Sequence, residues 1–206
     1  FLKQRLPYDI ILADGGDMPF YFTEQPNVYY HRYLPDRTTT DYLSKLANAV
    51  SIVKTPYVML ADNDDFVLQS GTDRAIEFLD NNADYVCCGG GLAGFALYGN
   101  GASGKVNRWS YRYTHLDKSC DIGQPTAIER LRFGARNWWS YYAIFRTEIL
   151  QTITREVQEI DFSDLQLHEF YCAMRTLTLG KAYSDPSCIS YMRQYGTSSQ
   201  RWNGQD

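Results

Sequence analysis

The sequence predicts an α/β domain with a mixed, mostly parallel sheet, flanked by helices and carrying one β-hairpin insertion. Three observations predict it. Residues 57–61 form a short apolar run bounded by Pro56 and by Asp62-Asn63-Asp64-Asp65, the pattern of a strand covered on both faces. Residues 8–13 repeat that design and end in Asp14-Gly15-Gly16-Asp17. Between them, Tyr42, Leu43, Leu46, Ala49, Val50 and Val53 recur at helical spacing. A strand, a helix and a strand in that order make a right-handed crossover. The two acidic strand ends are expected side by side at one crevice, because ligands of open α/β sheets gather at strand carboxyl ends.

The remaining elements follow in order. Residues 2–6 read as the tail of a helix stopped by Pro7. Residues 28–33 read as a short strand, and Thr38-Thr39-Thr40-Asp41 supplies N-cap residues for the first full helix. After the acids, Ser70 or Thr72 is expected to cap a helix that buries Ala75, Ile76 and Leu79 and ends at Asn81-Asn82. Residues 84–88 form a further strand. Gly89-Gly90-Gly91-Leu92-Ala93-Gly94 fits the spacing of a dinucleotide loop, but a second glycine cluster follows where a helix should open. A hairpin returning through residues 106–113 fits better. Residues 125–133 read as a helix, 137–145 as an aromatic strand and 147–157 as a helix. Ser163 is expected to cap the longest helix, with Gly180 at its C′ position and Leu165, Phe170 (or Leu167), Ala173, Met174 and Leu177 on its core face. Residues 182–195 read as polar and irregular, and 197–206 as a disordered or closing loop.

At 206 residues the expectation is a single domain with a sizeable core. A net charge of −4 without a basic run argues against nucleic acid as a partner. Five cysteines, two of them adjacent and none in a CxxC pair, form neither a zinc site nor a disulfide framework and read as reduced core residues of a cytoplasmic protein. No run reaches the length of a membrane helix. Seventeen Tyr, ten Phe and four Trp exceed what a core needs, and the surplus suits a sugar site as well as β-structure.

The acids carry the chemistry. Side chains two apart on an extended chain share a side, so Asp62 and Asp64 face one ligand while Asn63 and Asp65 face away. Clustered carboxylates at the end of a buried strand repel and lose hydration unless a cation compensates. Two oxygen donors suit Mg²⁺ or Mn²⁺, which completes its shell with water and substrate phosphates. The competing role is a strand-to-turn junction, where Asp and Asn are frequent.

Across nearly the whole chain these residues resemble the GT-A-fold glycosyltransferases, especially the inverting family 2. Residues 8–17 look like that family's second strand, and Asp62-Asn63-Asp64 like its DxD motif. Asn48 sits where the family has an Arg-Asn pair. Residues 143–146 and the helix after them look like the segment near the acceptor site. His168-Glu169, with Arg175 and Gly180 beyond, has the spacing of the family's Glu-Asp, Arg and Gly. Three departures stand out. The family's first strand would lie upstream of Phe1, and the chain is expected to be part of something longer. The Arg of the pair is replaced by Leu46-Ala47, with Lys45 nearby. The Glu-Asp pair reads His168-Glu169.

The resemblance implies transfer of a sugar, with inversion, from a nucleoside-diphosphate sugar to a hydroxyl of a carbohydrate or lipid-linked glycan, as in polysaccharide biosynthesis. It implies a cytoplasmic enzyme, at the inner face of a membrane or peripherally associated with it. Glu169 is the expected general base, with Asp164 as the alternative carboxylate. Asp14, Asp62, Asn48 and Arg193 are expected at the donor, Trp138 and Trp139 at the acceptor, and Asp62, Asp64 and His168 at the metal. Each has a plainer role open to it: a solvated helix acid for Glu169, a surface or capping residue for His168, core packing for the tryptophans, a surface cation for Arg193. The alternatives at the level of function are a non-catalytic carbohydrate- or nucleotide-sugar-binding or scaffold domain, and a metal-dependent nucleotidyltransferase.

Overall fold

The computed structural model describes residues 6–21, 24–99, 106–113, 120–137 and 141–195. Its elements are β1 (Ile10–Asp14), β2 (Val28–Arg32), α1 (Thr39–Ser51), β3 (Tyr57–Met59), β4 (Phe66–Val67), α2 (Gln69–Asn81), β5 (Tyr85–Gly99), β6 (Val106–Tyr113), β7 (Cys120–Ile122), α3 (Ala127–Asn137), β8 (Ile144–Arg146), α4 (Thr147–Ile160), α5 (Leu165–Leu179) and β9 (Lys181–Tyr195). The mixed α/β class is as the sequence predicts. β3, β8, β5, β9 and β4 lie in that order in one sheet, with β6 added to β5 and β7 to β9. β5 and β9 run parallel, while the other pairings of this sheet are antiparallel. The antiparallel share is therefore larger than a mostly parallel sheet implies.

β1 and β2 pair in parallel as a separate two-stranded sheet. The two acidic strand ends are thus not hydrogen-bonded neighbours. β3 is only three residues long and bonds β8, and the carbonyl before it, Pro56 O, accepts from the Thr147 N–H.

Helices cover both faces of the large sheet, and the alternation of strand side chains shows it. Cys87 and Phe145 pack with Val50 of α1, Leu150 of α4 and Ala173 and Leu177 of α5. Their neighbours Cys88 and Ile144 point the other way, to Ala75 and Leu79 of α2. The adjacent cysteines are thus core residues on opposite faces, as period-two alternation demands. Cys120 and Cys172 are also buried, while Cys188 is half-buried. Among the described residues no helix is long and apolar enough to cross a membrane.

Several helix ends differ from expectation. Thr38 caps α1 in a full capping box with Asp41. α2 instead starts at Leu68 without a side-chain cap. Its far end is held by Arg146, which donates to the carbonyls of Leu79 and Asn82. α5 is capped by Asp164, not Ser163. Its buried face is His168, Cys172, Ala173, Thr176 and Leu177, whereas Leu165, Leu167 and Phe170 are exposed. Gly180 is extended rather than left-handed. It is glycine because a Cβ there would stand 2.2 Å from Val86 Cγ1.

The segment read as irregular, residues 182–195, is most of β9. Its register against β5 shifts around Gly90 and Gly91. α2 presses close to this strand: a Cβ on Gly71 would stand 2.3 Å from the Ile189 carbonyl oxygen. Gly71→Ala is expected to lower stability by about 1–3 kcal/mol through overpacking. The check is the urea midpoint at unchanged slope. A midpoint equal to the parent's would mean that α2 and β9 separate freely at this point.

Candidate active site

β3 ends at Met59, and past it the Asp65 N–H turns back to the Asp62 carbonyl. One phenol from β9 closes this turn. Tyr191 accepts from the Asp62 N–H at 2.9 Å and donates to Asp65 Oδ2 at 2.7 Å. Tyr191 is 1 % and Asp65 3 % exposed. A buried carboxylate needs such a partner, since an unsatisfied one loses its hydration for nothing. Asp65 thus points inward while Asn63 is exposed and Asp62 and Asp64 are half-buried, so the turn sorts these side chains and not the two-residue alternation expected of an extended chain.

Tyr142 stacks on Tyr191, with ring centroids 4.3 Å apart and planes 14° apart. Its hydroxyl donates to Asp62 Oδ2 at 2.6 Å. Arg193 follows Tyr191 by two residues on β9 and shares its side. The Arg193 guanidinium lies 5.4 Å from the Tyr142 ring centroid, within cation–π range. Burial opposes the Arg193 charge, but Tyr142, Glu169, Asp62 and Asp65 outweigh it and hold the guanidinium above its ordinary pKa.

Glu169 of α5 borders the same group and is half-buried. Lost hydration pushes its carboxyl up, Arg193 pulls it down and Asp62 pushes it up again, leaving it at about 7. That is where a general base is poised at neutral pH. α1 supplies the adjoining wall. The Tyr42 and Tyr141 hydroxyls meet at 3.1 Å. Lys45 pairs with Asp36 and stands 5.2 Å from the Tyr42 ring centroid.

Asp62, Glu169 and Arg193, named from the sequence, are thus brought together. Other candidates are employed elsewhere. Asp14 accepts from the backbone N–H groups of Gly16 and Phe20 and from the Tyr30 hydroxyl, and pairs with Arg32 at 3.0 Å. Desolvation opposes its charge, but these donors win and lower its carboxyl to about 2. Asp14 thereby pins the 15–20 loop. Asn48 is exposed and its amide donates back to Ser44 O of its own helix, because its position on α1 faces solvent. Asp164 Oδ1 accepts from the N–H groups of Gln166 and Leu167, so that carboxylate is a helix cap. His168 is 1 % exposed. Its ring stands edge-on to Tyr42 and Tyr141, and Nδ1 meets Leu165 O at 2.7 Å.

Among the described residues no group of three or more His, Cys, Asp or Glu converges as a metal cage. Asp62, Asp64 and His168 therefore do not form a three-ligand centre: the histidine is spent in the core, and two carboxylates remain at the rim. Trp138 and Trp139 lie outside the described residues, as does the loop at 197–206.

Sequence reasoning missed Tyr142 and Tyr191. Tyr191 carried a usable signal, because Tyr191, Arg193 and Tyr195 alternate with Met192 and Gln194 at strand period.

No protein-family model matches the sequence, and no curated protein does. Solved structures do. Residues 1–349 of TarS from S. aureus match at a TM-score of 0.51 and 13 % identity, over 82 % of this chain and 44 % of that one. A second TarS structure matches at 0.51 and 14 %, over 82 % and 26 %. TarS 1–349 in complex with UDP-GlcNAc matches at 0.51 and 10 %, over 87 % and 46 %. The chain has a glycosyltransferase-like fold. It spans less than half of each TarS chain it matches, and at these identities the likeness concerns the fold alone. On this fold Asp62 of the acidic turn after β3, Glu169 of α5 and Arg193 of β9 lie close enough for their charges to act on one another.

Proposed function

We propose that this domain transfers a sugar from a nucleoside-diphosphate sugar to a hydroxyl of a carbohydrate or lipid-linked glycan, with inversion at the anomeric carbon. The observation that carries the reading is the convergence of Asp62, Arg193 and Glu169 as one interacting group of charges on a glycosyltransferase-like fold. The UDP-GlcNAc complex of TarS makes a uridine diphosphate sugar the first donor to try.

The chain's own residues divide the work. Two rim carboxylates without a third protein ligand fit a hard dication that draws its remaining ligands from phosphate and water. Asp62 and Asp64 would hold Mn²⁺ or Mg²⁺, which when bound neutralises charge on the departing diphosphate as a Lewis acid. Arg193, kept charged by the acids around it, faces the same diphosphate. Glu169 accepts the proton of the acceptor hydroxyl as its oxygen bonds the anomeric carbon and the bond to the diphosphate breaks. One base and no enzyme nucleophile suffice, so direct displacement inverts the centre. Trp138 and Trp139 remain the proposed acceptor platform, and contact with a membrane surface the proposed setting for a lipid-linked acceptor.

The test is a thermal shift with UDP-, GDP- and dTDP-linked sugars, each with and without Mn²⁺. A ligand at a hundredfold its Kd stabilises by about 2.7 kcal/mol. Stabilisation by one nucleotide class that depends on Mn²⁺ is the expected result. Equal stabilisation without the metal favours a binding domain, and no shift with any donor rejects the reading.

A further inference from the structure

We infer that Tyr142 and Tyr191 form a stacked phenol clamp that positions Asp62 for its ligand, and that both are positioning residues of the site. The inference rests on the reading above. It concerns how one carboxylate is aimed, and three observations carry it.

The clamp grips Asp62 twice. Tyr191 holds its backbone N–H and Tyr142 holds Oδ2. Among the described residues nothing hydrogen-bonds Oδ1, so one oxygen is anchored and the other is left for a ligand. An ionised acceptor makes the stronger kind of hydrogen bond, and the 2.6 Å separation fits that class. The second observation is that the clamp is itself fixed. Tyr191 is tied to the buried Asp65 by its own O–H, and parallel stacking locks the Tyr142 ring against it. The rotamer of Tyr142 is thereby set by packing rather than by Asp62. The third is that the same ring carries Arg193, so one side chain contacts both the anion and the cation of the site.

The test separates aiming from packing. Tyr142→Phe keeps the ring and the stack but removes the hydroxyl, and Tyr142→Leu removes both. The readouts are calorimetric affinity for UDP with MnCl₂ and the melting temperature. The expected result for Tyr142→Phe is a Kd raised on the order of tenfold, the loss of one charge-assisted bond, at an unchanged melting temperature. Tyr142→Leu is expected to weaken binding further, with Phe restoring the part that belongs to the Arg193 platform. Asp62→Asn serves as the reference. If Asp62→Asn loses UDP–Mn²⁺ binding while Tyr142→Phe binds like the parent, the clamp is wrong and the transferase reading stands. If Asp62→Asn also binds like the parent, that reading fails and the clamp falls with it. Tyr191→Phe removes a hydrogen bond from the buried Asp65 carboxylate and is expected to unfold more easily. The decision therefore rests on position 142.

Discussion

Glu169→Gln is expected to lower the rate of sugar transfer by about 10²–10⁴-fold, the usual contribution of a positioned base, while nucleotide-sugar affinity stays near that of the parent. Gln keeps the shape and one acceptor oxygen but takes no proton at neutral pH. The loss should appear in kcat and kcat/KM together, the mark of an interaction made in the transition state. The pH profile carries a second, independent signature. Activity of the parent should rise with pH as Glu169 ionises, with a midpoint at about 7. The stability effect has the opposite sign. Between the ordinary value of 4.5 and about 7 the folded chain holds a proton that the unfolded chain has lost. Stability from this group is therefore full below 4.5 and is lost as pH rises to about 7. Glu169→Gln removes that dependence, so its melting temperature should fall less than the parent's over this window. A variant with full transfer activity and an unshifted profile would assign the base elsewhere. Asp164 is a poor substitute, because its Oδ1 already serves the α5 backbone.

What the sequence made legible follows the range of the forces involved. Buried strands announce themselves by apolar runs between breakers, and the strands read at 8–13 and 57–61 are present as the shorter Ile10–Asp14 and Tyr57–Met59. The glycine run at 89–94 is part of the long β5 that folds back on β6, because a second glycine cluster, not a helix, followed it. The Thr38 cap needed only four consecutive residues. Glu169 was named from the family resemblance, and the structure sets it beside Arg193 and Asp62. The failures share a cause, which is that each depends on a distant partner. The first half of β9 shows little periodicity because its register against β5 shifts around Gly90 and Gly91, which interrupts the alternation before it resumes at Tyr191. His168 looked like a ligand until Tyr42 and Tyr141, 126 and 27 residues earlier in the numbering of this chain, closed around it. The exposed Leu167 and Phe170 read as core because apolarity was the only clue to which side of α5 is covered. Asn48 was placed by analogy, and its neighbours on α1 turned it to solvent.

Asp62→Asn is the second change with a large expected effect, and it separates charge from shape. The amide oxygen of the new side chain can still accept from the Tyr142 hydroxyl, and the backbone N–H bond from position 62 to Tyr191 is untouched. The turn should therefore keep its conformation. The negative charge that would hold a dication is gone, and neutral amide oxygen is a much weaker ligand for Mg²⁺ or Mn²⁺ than a carboxylate. Electrostatic stabilisation of a leaving diphosphate is commonly the largest single contribution to such a reaction. Transfer is expected to drop on the order of a thousandfold, and the residual rate should no longer respond to added Mn²⁺. Asp64→Ala is expected to act in the same direction, because the same dication needs both rim carboxylates. The decisive measurement is the Mn²⁺ titration of activity in each variant. Saturation at the parent's concentration in both would mean that the rim acids serve only the turn, as carboxylates at strand ends often do. Loss in Asp62→Asn alone would move the metal away from Asp64. Loss in both, with melting temperatures retained, is the outcome that a cation site built from two carboxylates requires.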